Sequence, residues 1–243
     1  MRGKDPMIGQ VLLDRYRIDG VIGRGGMSTV YLGEQRMGQA SRYVAVKVLE
    51  RHTNEDPRIV ERFIREQETI VRLKHPNTVE IYDVGELPDG TLFFVLEFIE
   101  GVPLSNVVKK GALPLVRVDK ILIQIAGALD DAHRLGVVHR DLKPANIMVD
   151  KNGQSYIMDF GLAKDTEGGH GMTRSGVPIG TPYYMPPEQA RGEHKSIDQR
   201  ADIYALGAVL YEIITHRVPF KASSTTELVR MIIEDEPVPP RQL

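Results

Sequence analysis

Apolar positions fall into two regimes along the chain, strand-like runs in the first hundred residues and helical stripes after Gly101. Tyr16–Arg24, Val30–Gln35 and Tyr43–Leu49 are rich in β-branched and aromatic residues and are separated by glycine or polar turns, which predicts three strands. Asp56 suits an N-cap and Pro57 a first helical position. They open a predicted helix that runs to Lys74, where His75-Pro76 stops it. Val79–Val84 and Leu92–Ile99 predict two more strands around the turn Pro88-Asp89-Gly90.

Beyond Gly101, the stripe Val118, Ile121, Leu122, Ile125, Leu129 and Ala132 predicts a helix that stops near Gly136. Ile147–Val149 and Ser155–Met158 flank Asn152-Gly153, a hairpin signal. Gly161–Pro187 has little periodicity and the length of a functional loop. Ala201–Thr215 is apolar nearly all round, the pattern of a buried helix, and one more helix is expected at about 225–234. There are no internal repeats or low-complexity tracts. The expected order is an N-terminal extension (1–13), a β-rich lobe (14–97), a hinge near 97–101 and a larger, mostly helical lobe (98–243).

Composition narrows the class. The 243 residues suit one large domain or two small lobes. Lys and Arg total 31 against 33 Asp and Glu, which argues against a nucleic-acid partner or a membrane-surface role. With no cysteine, disulfides, thiolate zinc sites and a Cys nucleophile are excluded. The longest apolar run, Ile121–Leu129, is interrupted by Gln124 and Gly127 and falls short of the roughly 18 residues a membrane span needs. Met7–Leu13 is too short and broken for a secretory signal, and Arg2 excludes N-myristoylation. The expectation is a cytoplasmic protein, or the cytoplasmic part of a longer membrane-anchored receptor.

Three stretches carry chemistry. Gly23-Arg24-Gly25-Gly26-Met27-Ser28-Thr29-Val30 lies between two predicted strands, where glycines let backbone N–H groups approach a phosphate. A dinucleotide-binding reading needs a helix directly after the glycines, and here a strand follows. Lys47 ends an apolar strand segment. In the helix 57–74, Glu66 shares the face of Ile59, Phe63, Ile70 and Leu73, and a carboxylate on a buried face needs a cation, for which Lys47 is the candidate. The third stretch is His139-Arg140-Asp141-Leu142-Lys143-Pro144-Ala145-Asn146, followed thirteen residues after the Asn by Asp159-Phe160-Gly161. It supplies hard oxygen ligands suited to Mg²⁺, with one carboxylate left to act as a base. Any one of these groups alone would read as a turn or cap; the full set in this order would not.

Together these motifs, closed by Pro187-Glu188, resemble the protein-kinase signature set, and more narrowly the bacterial eukaryotic-like Ser/Thr kinases, over about 16–240. The resemblance implies an α+β, bilobal protein-kinase fold. It implies transfer of the ATP γ-phosphate to Ser/Thr hydroxyls of proteins, with ATP and Mg²⁺ (Mn²⁺ as an alternative). On this reading the hairpin with Ile22, Gly23, Gly25, Gly26 and Ser28 covers the phosphates. Lys47 holds the α/β-phosphates and pairs with Glu66. Asp141 takes the hydroxyl proton, Lys143 steadies the γ-phosphate, and Asn146 and Asp159 bind the metal. Val30, Ala45 and Met148 sandwich adenine, Leu96 is the gatekeeper, and the Glu97 carbonyl with the Ile99 backbone reads the adenine edge. Ile70, Ile81, His139 and Phe160 match a stacked hydrophobic spine, and Asp202 the helix Asp that holds the catalytic loop. Lys143-Pro144 and Gly180-Thr181 match Ser/Thr-specific members, with Thr181 next to the acceptor. Thr173 and Ser175, eight and six residues before Thr181, match autophosphorylation sites that Arg140 would receive.

Some positions depart from the pattern. Ser28 replaces the third glycine, Pro186 stands where Ala is usual, and the chain ends one helix beyond Phe220, where family domains continue for two more. A C-terminally truncated lobe of this kind is expected to leave apolar surface on Ala201–Thr215 and to favour self-association. The alternatives are a nucleotide-binding pseudokinase or regulatory module without turnover, and a small-molecule phosphotransferase. His52, His133, His170, His194 and His216 show no metal-ligand spacing and read as surface residues.

Overall fold

Two hairpins and an antiparallel pair build the first sheet. In the computed structural model, which describes residues 5–25, 28–49, 72–160, 182–193 and 196–243, its strands are β1 (Val11–Leu12), β2 (Tyr16–Arg24), β3 (Ser28–Met37), β4 (Ala40–Leu49), β5 (Ile81–Glu86) and β6 (Leu92–Glu97). Their order is β1-β2-β3-β4-β6-β5, and every neighbouring pair is antiparallel. Met37 pairs with Ala40 across a two-residue turn, which Gly38 permits with φ 65°. Alternation along the strands turns Tyr31, Val44, Val46, Phe93 and Val95 into one core. The expected strand Val79–Val84 starts at Ile81 and runs on to Glu86, and the one expected to reach Ile99 ends at Glu97.

In its described part the expected N-terminal extension 1–13 packs onto the sheet. Val11 pairs with Arg17 and Leu12 with Tyr16, and Met7 and Leu12 are buried in the sheet's core. Burying these two apolar side chains stabilises the pairing. Most of the predicted helix 57–74, with Glu66 and Ile70, lies outside the described residues. Arg72, Leu73 and Lys74 are not helical, as the coming Pro76 disfavours the helical region just before it.

The chain divides into two units, Met1–Lys74 with Val79–Ile99, and His75–Thr78 with Glu100–Leu243. The second contains β7 (Gly101–Pro103), β8 (Ile147–Asp150) and β9 (Ser155–Ile157), ordered β7-β8-β9. Its described helices are α1 (Leu104–Lys109), α2 (Leu115–Arg134), α3 (Pro187–Ala190), α4 (Arg200–Thr215) and α5 (Thr225–Glu234). Asn77 ties residues 75–78 into this unit: its Nδ2 donates to the Ser155 carbonyl at 2.8 Å, and its own carbonyl accepts from Ile157 N at 2.8 Å. The boundary read from sequence at 97/98 therefore misses this short insertion. Helix α5 is capped by the Ser224 side chain, which accepts from Glu227 N at 3.2 Å. No helix of the described residues is long and apolar enough to cross a membrane.

Helix α4 is not buried all round. Ala205, Val209 and Ile213 face the core, while Ile203 is 58% exposed and Ile214 43%. Ile203, Leu206 and Leu210 line an open groove of about 360 Å³ together with Ile123 of α2.

One backbone approach is tight enough to test. A Cβ on Gly101 would lie 2.5 Å from the Val149 carbonyl oxygen and 2.9 Å from its carbon, both in β8. Gly101→Ala is expected to push β7 off β8 and to cost about 1–3 kcal/mol. Chemical denaturation of the two proteins side by side measures it, and equal midpoints would contradict the expectation.

Candidate active site

A buried carboxylate organises the loop between α2 and β8. Asp202 lies in the first turn of α4 with no exposed surface. Its Oδ2 accepts from His139 N at 2.8 Å and from His133 Nε2 at 2.7 Å, and its Oδ1 accepts from Arg140 N at 2.8 Å. Three donors satisfy a charge that would otherwise be too costly to bury. Arg140 takes a left-handed backbone with φ 64°, and the hydrogen bond to Asp202 holds it there.

The loop then turns on its own side chains. His139 Nδ1 accepts from Asp141 N at 3.2 Å, and its Nε2 donates to the Met158 carbonyl at 2.8 Å, an assignment that follows from the roles of the two partners. Its ring packs on Phe160 with centroids 4.9 Å apart. Asp141 presents its carboxylate half-exposed, with Lys143 Nζ donating to Oδ2 at 2.8 Å. Asn146 Nδ2 donates to the Asp141 carbonyl at 2.9 Å and approaches Oδ2 at 3.4 Å. Its amide nitrogen is thus turned toward Asp141, and the side-chain carbonyl supplies its oxygen chemistry. Asp159 follows β9 with φ 63°, a second left-handed residue beside the loop. Pro144–Asn146 forms a 3₁₀ turn leading directly into β8, where Met148 pairs with Tyr156.

In the first unit, the glycine-rich segment is the tip of the β2–β3 hairpin, and the strand that follows is antiparallel, as read from sequence. Gly25 N donates to the Ser28 carbonyl at 2.8 Å. Val30 pairs with Lys47, Ala45 with Leu96 and Val44 with Glu97, which places these side chains on three adjacent strands; Lys47 is buried. Ile22 lies half-exposed in β2, and Ile99 follows β6. Gly26, Glu66, Thr173, Ser175 and Thr181 lie outside the described residues.

His133 corrects the surface reading. It is half-buried, with its ring turned in against Asp202, and the signal was available: Leu129 lies on the buried stripe of α2, and His133 follows four residues later on the same face. Tyr184 and Glu212 were not singled out either. The Tyr184 hydroxyl donates to Glu212 Oε2 at 2.5 Å, and burial, then this bond, push its pKa far above the ordinary phenol range.

The model of the protein kinase domain family matches residues 16–240. The serine/threonine-protein kinase pkn3 of Myxococcus xanthus is 39% identical over 97% of this chain and 44% of its own length. The serine/threonine-protein kinase PknB of Mycolicibacterium smegmatis is 41% identical over 95% of this chain and 37% of its own length. The chain thus spans less than half of these curated relatives. Among solved structures, the Mycobacterium tuberculosis PknI kinase domain matches with a TM-score of 0.71 and 27% identity, covering 94% of this chain and 87% of that one. Rad53 1–466, solved in complex with AMP-PNP, matches with a TM-score of 0.71 and 29% identity, covering 90% of this chain and 53% of that one.

Replacing Asp202 tests its place in the loop. Asp202→Ala is expected to lower unfolding free energy by about 2–5 kcal/mol, because three buried donors lose their acceptor. Asp202→Asn should lose most of that as well, since its amide sets a donor among donors. Urea unfolding of both variants measures it, and a parent-like midpoint for Asp202→Ala would contradict the assignment.

Proposed function

This chain belongs to the protein kinase domain family, and on that premise we propose that it is an ATP-dependent serine/threonine protein kinase. The observation that carries this reading is the half-exposed Asp141 carboxylate, held by Lys143 and Asn146 on a loop anchored to Asp202. As the hydroxyl oxygen of a substrate Ser or Thr attacks the γ-phosphorus, Asp141 accepts its proton. The bond from the γ-phosphorus to the β–γ bridging oxygen breaks, and ADP leaves. Lys143 steadies the γ-phosphate, and Lys47 takes the α/β-phosphates with Glu66 as its partner. The backbone N–H groups of the glycine-rich hairpin add donors. Val30, Ala45, Leu96, Glu97, Ile99 and Met148 serve adenine, and Ile22 belongs to the hairpin over the phosphates. The acceptor class is supported by the names of the relatives and by Lys143-Pro144 in the loop.

The donor set suits a divalent metal. Among the described residues no three His, Cys, Asp or Glu side chains gather as a metal cage. Asn146 and Asp159 offer hard oxygens, which fits Mg²⁺ or Mn²⁺ completing its shell with phosphate oxygens and water. When bound, such an ion neutralises charge on the phosphates. Thr173 and Ser175 are the proposed autophosphorylation sites. A phosphate there adds about −1.5 to −2 charge for the Arg140 guanidinium to meet.

Two measurements check the proposal. With ATP, Mg²⁺ and a generic protein substrate, the parent is expected to transfer phosphate. Asp141→Asn should lower turnover by about 10²–10⁴-fold at unchanged folding, and Asp159→Ala should abolish transfer. A parent that binds ATP but leaves every protein unphosphorylated would overturn the reading in favour of a module without turnover. Separately, mass spectrometry after incubation with ATP should find phosphate on Thr173 or Ser175, and the double variant Thr173→Ala/Ser175→Ala should be less active. Phosphate confined to other segments would remove the two sites from the proposal.

A further inference from the structure

The outer end of the β2–β3 hairpin is held from outside the hairpin by one carboxylate. Register shifts at Ile18/Gly20 and Val21/Gly23 interrupt the pairing of β2 with β3. Beyond them the two strands meet at the Gly23–Val30 and Arg24–Thr29 pairs and at the bond from Gly25 N to the Ser28 carbonyl. Asp5 reaches both strands there. Arg24 Nη2, from β2, donates to Asp5 Oδ2 at 2.5 Å, and the Tyr31 hydroxyl, from β3, lies 3.3 Å from Oδ1 and 3.4 Å from Oδ2. Asp5 is itself fixed. Met7 N donates to its Oδ1 at 3.1 Å, Ile8 N donates to its carbonyl at 3.1 Å, and the Met7 side chain is buried in the sheet's core. Burial raises the Asp5 pKa, but the bonds from Met7, Arg24 and Tyr31 outweigh it and hold the carboxyl pKa below its usual value. The carboxylate is therefore charged at neutral pH. Tyr31 is 5% exposed, so the β3 side of the tie is rigid, whereas the Arg24 side chain is 62% exposed, so the β2 side can be released without opening the core.

We propose that Asp5 is a positioning residue for the glycine-rich hairpin, holding Arg24 and Tyr31 so that the strand ends Gly23–Gly25 and Ser28–Val30 keep the arrangement that receives ATP. This rests on the kinase reading above. Preorganisation of this kind lowers the ordering cost of binding the nucleotide and leaves the chemical step at Asp141 untouched. Its loss belongs in KM for ATP rather than in kcat.

The test uses the full chain with Asp5→Asn, Arg24→Gln, the double variant and the conservative Arg24→Lys. Steady-state kinetics, thermal melting and amide hydrogen exchange over residues 20–31 are the readouts. Each single change is expected to raise KM for ATP about three- to fivefold, the scale of one partly exposed charge pair. Exchange in the hairpin should accelerate, with kcat and Tm near the parent's. The double variant should be no worse than the more affected single, and Arg24→Lys should recover much of the loss. Parent-like KM and parent-like exchange in both single variants would overturn the proposal, as would a double variant whose KM rises by the product of the two single effects. If Asp5→Asn fails to fold, Arg24→Gln and Arg24→Lys decide alone, because Arg24 is an exposed side chain. If the parent transfers no phosphate, the kinase reading falls, and the exchange rates still decide whether Asp5 holds the hairpin.

Discussion

The Asp202 carboxylate is the constraint on which the second unit's chemistry depends. A charge with no exposed surface survives only where donors surround it, and here the donors are the loop's own backbone at His139 and Arg140 and the ring of His133 at the end of α2. One residue of α4 thereby ties the last turn of α2 to the start of the next loop. The left-handed backbone of Arg140 follows from that attachment, and so does the placement of Asp141 one residue later. His139 carries the same order across to Met158 and Phe160, so that the residues on either side of Asp159 are both held by one histidine ring.

In each unit, a sheet or helix scaffold carries a short segment whose geometry is set by hydrogen bonds from a few side chains. In the first unit the scaffold is the antiparallel sheet, and the segment is the glycine-rich hairpin, bent by two register shifts and tied at its end to Asp5. In the second, the scaffold is α2 with α4, and the segment is the loop through Asn146, which closes on itself through Asn146 Nδ2 and Lys143 Nζ. Rigid elements with a few fixed polar groups at their ends are the usual way of holding reactive side chains within tenths of an ångström.

The strands other than the short β1 and β7, the α2 stripe, the Asn152-Gly153 hairpin and α5 were legible along the chain, because local periodicity and turn chemistry specify them. The motif residues of the loop were legible for a different reason: Asp141, Lys143, Asn146 and Asp159 stand in an order and spacing that ordinary turns do not produce together. His133 and Asp5 escaped. A histidine at a helix end and an aspartate ahead of the first strand are both unremarkable in sequence, and each acquires its role from a partner 69 or 19 residues away. Sequence shows α4 to be apolar nearly all round, and only the folded chain shows that Ile203, Leu206 and Leu210 line an open groove, since composition tells that a face is apolar and not what covers it.

What this sequence determined by itself is the set of elements and the chemical groups offered at their ends, both consequences of interactions among residues close along the chain. Only the tertiary structure decided which groups meet. Residues 75–78 join the second unit through Asn77 and Ser155, Met7 and Leu12 enter the first sheet's core, and Asp202 takes His133 as well as the loop backbone. The physical reason is that a buried polar or apolar group is stable only when its environment is complete. That completion is supplied by whichever distant residues the folded chain brings within reach, and no local pattern encodes it.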